Sequence, residues 1–177
     1  MKSATPLVSG NLGSDLAMPI IIEKGDPADC EEMLTLFPRL VSFDVPNGRN
    51  PDHLWGGDAD MLRKWARDGN DDCIVHVAKD EDGSIVGVTM VTLRPELLSR
   101  SPSAHLEVIT VAESAEGQGI GKELMAAAET GARNRGVNSM TLFVFSNNTR
   151  ARRVYERAGF NEELIRCIKT FEKDALS

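Results

Sequence analysis

The stretch Glu116-Gly117-Gln118-Gly119-Ile120-Gly121-Lys122 alternates three glycines with larger residues, and the fold that we predict for the chain follows from it. It lies between a strand-like segment, His105 to Ala112, and a helix-like segment, Lys122 to Arg135. Glycine lets a backbone approach a ligand without a Cβ atom in the way. The first N–H groups of the following helix are unpaired and carry the positive end of its dipole. This order of strand, glycine turn and helix N-terminus predicts a phosphate or pyrophosphate site.

Two other glycine-rich phosphate motifs do not match this stretch. A P-loop needs Ser or Thr after Gly-Lys to bind magnesium, and here Glu123 follows Gly121-Lys122. A dinucleotide-binding fold needs Gly-x-Gly-x-x-Gly early in the chain, whereas here the spacing is Gly-x-Gly-x-Gly and falls after roughly two thirds of the sequence. Taken alone, the glycines leave open a simpler alternative, in which the turn caps a structural helix.

A second motif downstream makes the pattern more specific. The segment from Asn148 to Phe160 reads Asn-Thr-Arg-Ala-Arg-Arg-Val-Tyr-Glu-Arg-Ala-Gly-Phe. Together with the glycine stretch, it resembles the GNAT family of acetyl-CoA-dependent N-acetyltransferases. That family's phosphate loop reads Gln/Arg-x-x-Gly-x-Gly/Ala, and its later signature is Asn-x-x-Ala-x-x-x-Tyr-Glu-x-x-Gly-Phe. The resemblance is strong over residues 104–160 and rests on element order alone before them.

The resemblance implies acetyl-CoA as cosubstrate, with no metal. The pantetheine arm would lie between the fourth and fifth strands and pair with the backbone of Ile109 and Val111, with an N–H near Val111 as the oxyanion donor. Ordinary core alternation also explains the side chains of these two residues, and helix capping alone explains Asn148. The implied cofactor-binding residues are Ile109, Thr110, Val111, Gly117, Gln118, Gly119, Ile120, Gly121, Lys122 and Asn148.

The chain departs from the family at the head of the loop, where Glu116 replaces Gln or Arg. A carboxylate that pointed inward would repel the pyrophosphate, so we expect Glu116 to turn to solvent. Lys122 is then the nearest cation to the phosphates. On this argument Glu116→Gln binds CoA as well as the native chain, or slightly better.

Two residues are candidates for proton transfer. Tyr155 is the only tyrosine in the chain, and the resemblance implies that it protonates the departing CoA thiolate, although a half-buried core tyrosine is the simpler alternative. Glu107 precedes Ile109 and Val111 by two and four residues, so we expect all three side chains on one face of the strand. Some family members that acetylate small amines carry a glutamate base at this position. His76 and His105 are rival bases.

Composition places the chain among soluble globular proteins of one domain, with 41% hydrophobic and 27% charged residues. The net charge of −7 argues against a nucleic-acid partner, and no apolar run is long enough to span a membrane. Three cysteines without metal-ligand spacing favour reduced thiols and a cytoplasmic location. Residues 1–18 form a polar N-terminal extension and residues 19–177 the acetyltransferase domain.

The predicted element order is β-α-α-β-β-β-α-β-α-β, a single α/β GNAT-like domain whose mixed sheet of six or seven strands is flanked by about four helices. The first helix is expected from Asp26 to Phe37, and a closing segment from Phe160 to Phe171 completes the sheet. The fifth strand, Ser139 to Ser146, is expected to be buried on both faces, Phe143 included. Two loops, Ser42–Gly57 and Arg94–Ser103, are expected to wall a pocket.

Three functions remain open at this level. The first is acetylation of a small primary amine, which the two loops favour. Family members that acetylate the N-terminus of ribosomal proteins place a glutamate in the fifth strand, where this chain has Phe143, so their mechanism does not transfer. The second is acetylation of a protein lysine or N-terminus, and the third is a non-catalytic acyl-CoA-binding module. A homodimer is compatible with each of them, and the sequence does not identify the acceptor.

Overall fold

The sheet of this protein has five strands in the order in which they occur along the chain. A computed structural model describes residues 20–169 and residue 171, so the predicted extension 1–18 lies outside the described residues. The first three strand pairings are antiparallel and the last is parallel. The strands are β1 (Ile21–Lys24), β2 (Cys73–Lys79), β3 (Ile85–Pro95), β4 (Pro102–Val111) and β5 (Met140–Leu142).

Helices cover both faces of the sheet. On one face, α1 (Cys30–Leu34) and α2 (Gly56–Asp68) pack on Val75, Val88 and Val108. On the other face lie α3 (Ile120–Asn134) and, beside it, α4 (Thr149–Arg157). The α/β fold and the element order as far as α4 are therefore as predicted. Within the described residues, no helix has both the length and the apolarity needed to cross a membrane.

The buried residues of α3 explain why this helix forms where the glycine turn ends. Ile120, Leu124, Met125, Ala128 and Ala132 are all buried, and because they lie four, five, eight and twelve residues from the first they share one face of the helix. They pack on the alternating apolar residues of β2, β3 and β4. The turn is thus fixed to the core by the helix that follows it.

The first helix is shorter than predicted. The sequence suggested one helix from Asp26 to Phe37, whereas a 3₁₀ turn at Pro27–Asp29 precedes α1 and a second one, Phe37–Val41, follows it. Asp26 caps the first turn as expected, with its side chain accepting from the Ala28 N–H at 2.9 Å. The second 3₁₀ turn packs on β4.

The fifth strand is also shorter, and the prediction that Phe143 is buried was wrong. Only Met140–Leu142 pairs with β4, at Ala104–Leu106, and the Phe143 side chain is 77% exposed. The two strands stop pairing beyond Leu106. In the segment that follows, Phe145 is half-buried against Phe43, whereas Phe143 contacts only one side of the His105 ring and leaves most of its surface exposed. No strand is assigned in residues 161–169, so the sheet of the described residues has five strands rather than six or seven.

A β-bulge interrupts β4 at Glu107. Met90 pairs with Val108 and Val91 with Leu106, so Glu107 is the extra residue. Further out, the β3–β4 hairpin extends to a Pro95–Pro102 pair, which leaves a shorter loop than the predicted Arg94–Ser103. The bulge matters for function because it changes the face on which the Glu107 side chain lies.

Gly87 gives a test of the packing between β3 and α3. A Cβ atom there would lie 2.9 Å from Leu124 Cδ1 and 3.3 Å from Ile120 Cγ2, and both of these side chains are buried. We expect Gly87→Ala to lower the free energy of unfolding by about 1–3 kcal/mol because the core is overpacked. In the control Gly57→Ala, where nothing lies within 4 Å of the new Cβ, we expect no loss. Denaturant unfolding measures both, and equal stability of the two variants would contradict the packing described here.

Candidate active site

The glycine turn forms a concave row of backbone N–H groups. Gly117 and Gly119 have φ of 79° and 84°, a conformation that side chains with Cβ rarely adopt. Among the described residues, the N–H groups of residues 117–121 donate to no carbonyl or side chain, and the bonds of α3 begin with Lys122 and Glu123 donating to the Gly119 carbonyl. Such free donors at a helix N-terminus suit an anion.

Gly121 leaves space in front of these donors. A Cβ atom there would meet only Val111 Cγ2, at 3.9 Å, and the residue has ordinary helical geometry. The space in front of the N–H row at Gly121 is therefore open. The side chains of Ile120 and Thr110 are buried, whereas the Lys122 side chain is exposed.

Beside the turn, the edge of β4 that faces β5 pairs with no strand beyond Leu106 among the described residues. The Val111 carbonyl points to this edge, where it accepts a hydrogen bond from Arg39 Nε at 2.7 Å. By strand alternation, the backbone groups of Ile109 point to the same edge. A cleft between β4 and β5 thus runs from the turn into the protein.

A cavity of about 150 Å³ lies in this cleft and brings predicted residues together. Glu107, Ile109, Asn148 and Tyr155 all line it, although they come from two distant parts of the sequence. The loop between α1 and α2 forms one wall through Leu40, Phe43 and Leu54, as predicted for the loop Ser42–Gly57. The second predicted wall, Arg94–Ser103, was wrong, because no residue of that loop lines the cavity. A second cavity, of about 200 Å³, lies at the far end of α3 beside Glu129 and Arg133 and contains neither proton-transfer candidate.

Tyr155 reaches the cavity from α4. Its ring packs edge-on against Phe160, with centroids 6.0 Å apart, and against the core beneath α3. Its hydroxyl makes no hydrogen bond to any described protein group, and burial raises the pKa of this hydroxyl. The phenol is therefore protonated at neutral pH and free to donate. Asn148 caps α4, as predicted, by accepting from the Ala151 N–H at 3.1 Å.

Glu107 lies on the opposite face from the one predicted. Because of the bulge, its side chain shares the face of Val108, beneath α1 and α2, whereas Ile109 and Val111 pack toward α3. Its Oε1 accepts from Thr92 Oγ1 at 2.5 Å and lies 3.4 Å from Arg94 Nη1. The carboxylate is only 11% exposed and is held at the wall of the cavity.

Asp58, which the sequence analysis did not identify as a site residue, lines the same cavity from the first turn of α2. Burial and the neighbouring charge of Glu107 raise its pKa to about 6. Among the described residues, no side chain forms an ion pair or hydrogen bond with its carboxylate. Nothing in the sequence distinguishes Asp58 as a site residue, because acidic residues are common in the first turn of a helix.

The histidines are poor candidates for the base. His105 is 3% exposed, and its Nδ1 lies 2.7 Å from Thr141 Oγ1. Burial lowers its pKa to about 4 against the opposing effect of Glu107, so it is neutral at neutral pH. His76 lies outside the cavity lining, and burial lowers its pKa as well.

Glu116 lies at an exposed position, as expected, but its carboxylate is not free in solvent. Its carboxylate is 32% exposed and bridges two guanidinium groups, Arg39 Nη2 at 2.5 Å and Arg150 Nη2 at 2.7 Å. Hydrogen bonding to Arg150, and then to Arg39, lowers its pKa. These arginines come from the 3₁₀ turn after α1 and from α4, and both are nearer to the head of the loop than sequence spacing indicated.

Comparison with known proteins identifies the family of the chain. The chain matches the acetyltransferase (GNAT) family over residues 39–160, which is more than half of its length. The chain therefore belongs to the GNAT acetyltransferase family. No group of three or more His, Cys, Asp or Glu side chains placed to hold a metal ion occurs in the part of the chain that the structure describes.

Two mycothiol acetyltransferases are similar to the chain in sequence. The chain is 31% identical over 151 residues to a mycothiol acetyltransferase of Jonesia denitrificans, covering 82% of this chain and 46% of that protein. It is 33% identical over 102 residues to the mycothiol acetyltransferase of Propionibacterium freudenreichii subsp. shermanii, covering 58% and 32%. The chain thus spans less than half the length of these two relatives.

Among solved structures, the fold is similar to that of AAC(6')-Iy in complex with the bisubstrate analogue CoA-S-monomethyl-acetylneamine. The TM-score is 0.63 at 24% identity, and the alignment covers 88% of this chain and 99% of that one. Because the identity is only 24%, the similarity shows a shared fold and no more.

The raised pKa of Asp58 makes stability depend on pH. The folded protein holds this proton up to about pH 6, above the pKa of the unfolded chain, so the native chain loses stability as pH rises from about 4 to 7. Asn cannot titrate, so we expect Asp58→Asn to gain stability relative to the native chain over that range. Denaturant unfolding at pH 4.5 and 7.5 measures it, with Asp60→Asn, an exposed residue of the same helix, as control. A difference that does not change with pH would contradict the assignment.

Proposed function

We propose that this protein is an acetyl-CoA-dependent N-acetyltransferase whose acceptor is the primary amine of a small molecule. The observation that supports it best is the cavity in the β4–β5 cleft, which a proton donor, Tyr155, and a carboxylate, Glu107, both line beside the glycine turn. These are the groups that direct acyl transfer to an amine requires. The free N–H groups of residues 117–121 and the open edge of β4 supply a place for the pyrophosphate and the pantetheine arm.

Acetyl-CoA supplies the acetyl group as an activated thioester. In the proposed reaction, Glu107 takes a proton from the substrate ammonium, and the neutral nitrogen forms a bond to the acetyl carbon. The carbon–sulfur bond then breaks, Tyr155 gives its proton to the departing sulfur, and the phenolate takes up the second proton that the nitrogen loses as the amide forms. Glu107 releases its proton to solvent. A backbone N–H at the free edge of β4 stabilises the negative charge on the carbonyl oxygen. The products are an amide, a thiol and one released proton.

The charges in the cavity favour a cationic acceptor. Burial, and then the charge of Glu107, raise the pKa of Asp58. Because Arg94 Nη1 lies 3.4 Å from Glu107, the two carboxylates and this guanidinium leave one net negative charge, which attracts an ammonium group. The names of the two sequence relatives agree with a small acceptor, since both are mycothiol acetyltransferases.

A small acceptor fits better than a protein one. Leu40, Phe43 and Leu54 close one side of the cavity, and its volume of about 150 Å³ is small for a peptide segment. Thiol release from acetyl-CoA, measured with a panel of small amines and with lysine peptides in parallel, tests this choice. Release that depends on peptides alone would replace the proposal with protein acetylation. CoA binding without turnover on any acceptor would favour the non-catalytic alternative.

The glycine turn gives a test of cofactor binding that spares the fold. Gly121 is the better target than Gly119, because positive φ at Gly119 strains any side chain. We expect Gly121→Val to weaken CoA binding at least about tenfold, since its methyl groups occupy the space in front of the N–H row. Gly57→Val, at the same second position of α2, is the control. Calorimetry with CoA decides it, and equal affinity of both variants would contradict the pyrophosphate site.

Tyr155 gives a test of the chemical step. We expect Tyr155→Phe to leave acetyl-CoA affinity nearly unchanged and to lower the single-turnover rate by ~10²–10⁴-fold, because it removes only the proton donor. Single-turnover measurement is needed because product release can mask the loss in steady state. Phe160→Leu, which alters the ring packed against Tyr155, is the control for packing. A Tyr155→Phe enzyme with full rate across pH would mean that the tyrosine is structural.

A further inference from the structure

Judged by charge alone, the carboxylate of Glu116 should weaken the binding of an anion at the glycine turn. It stands at the head of a turn whose free N–H groups suit an anion, and hydrogen bonds to two arginines keep it ionised. An unpaired carboxylate beside a pyrophosphate would cost affinity through repulsion. The contacts of Glu116 therefore decide whether the residue opposes or assists binding.

Arg39 connects three segments at this end of the cleft. Its Nε donates to the Val111 carbonyl at 2.7 Å, its Nη2 to Glu116 at 2.5 Å, and its Nη1 lies 3.3 Å from Glu113. The side chain is 22% exposed, so its guanidinium is largely committed to these contacts. A planar guanidinium with donors in fixed directions is well suited to such a junction.

Arg150 approaches Glu116 from the other side of the cleft. It is the second residue of α4, and its side chain is 71% exposed. Its Nη2 lies 2.7 Å from Glu116, and within the described residues its guanidinium has no other partner. The remaining N–H groups of Arg150 are therefore available to a ligand at the mouth of the cleft.

These contacts change the charge that a ligand meets. The guanidinium groups of Arg39 and Arg150 offset the carboxylates of Glu116 and Glu113, so a ligand at the head of the turn meets no net negative charge. Glu116 also joins the 3₁₀ turn Phe37–Val41, the glycine turn and α4, which border the part of the cleft where β4 and β5 no longer pair.

We propose that Glu116 is a positioning residue for acyl-CoA: it holds Arg39 and Arg150 across the end of the cleft, so that the pyrophosphate meets guanidinium groups beside the glycine turn. The proposal rests on the acetyl-CoA-dependent function proposed above. It reverses the expectation from charge alone, under which removing the carboxylate leaves binding unchanged or improves it. The two arguments therefore predict opposite changes in CoA affinity for Glu116→Gln.

Calorimetry with CoA on the native chain, Glu116→Gln and Glu113→Gln separates these arguments. Both variants lose one negative charge in the same loop, but only Glu116→Gln removes the bridge between the arginines. We expect Glu116→Gln to weaken CoA binding at least about threefold, the scale of a partly exposed charged contact, and Glu113→Gln to change it less than about twofold. Glu116→Gln binding as tightly as the native chain, or more tightly, would overturn the proposal.

A double-mutant cycle with Arg150→Gln shows whether Glu116 acts through Arg150. We expect each single variant to weaken CoA binding and the double variant to weaken it less than the sum of the two, because both changes break one contact. Additive losses at unchanged thermal stability would overturn the proposal. If Glu116→Gln does not fold, Arg150→Gln alone decides, since this exposed residue can be replaced without loss of packing and unchanged affinity would refute its role. A native chain that does not bind CoA at all would overturn the proposed function itself.

Discussion

The short pairing between β4 and β5 is the constraint on which the site depends. The two strands pair over only three residues, Ala104–Leu106, and then diverge. The divergence leaves the edge of β4 free toward the glycine turn and opens the cavity inside the protein. It also lets α4, which follows β5, place Tyr155 on the opposite side of the cleft from Glu107. A fully paired fifth strand would close this space and separate the two side chains.

The two ends of the cleft differ in their charged groups. At the inner end lie the carboxylates of Glu107 and Asp58, with Arg94 beside Glu107, and burial together with the charge of Glu107 raises the pKa of Asp58 to about 6. At the outer end, Arg39 and Arg150 flank Glu116 beside the row of free N–H groups. This division suits a cationic acceptor inside and an anionic cosubstrate outside. The overall charge of −7 gives no hint of it, because it averages over both ends.

The bulge at Glu107 shows how a small backbone irregularity changes a site. Regular alternation put Glu107 on the face of Ile109 and Val111, and one extra residue in β4 places it on the face of Val108. There its carboxylate contacts Thr92 and Arg94 and lies near Asp58. Alternation along a strand cannot reveal such a shift, because the extra residue is defined only by the pairing with β3.

The sequence by itself determined the family, the element order and the local geometry of the turn. Positive φ at Gly117 and Gly119, the cap at Asn148 and the buried face of α3 all depend on residues within a few positions of one another. The tertiary structure alone decided the length of β5, the face of Glu107, the nearness of Asp58 and the contacts of Glu116. Each of these depends on groups far apart in the chain, such as Arg39 and Glu116, which are 77 residues apart. Local patterns record what a residue does to its neighbours in sequence, whereas burial and ion pairing depend on where the fold brings distant residues together.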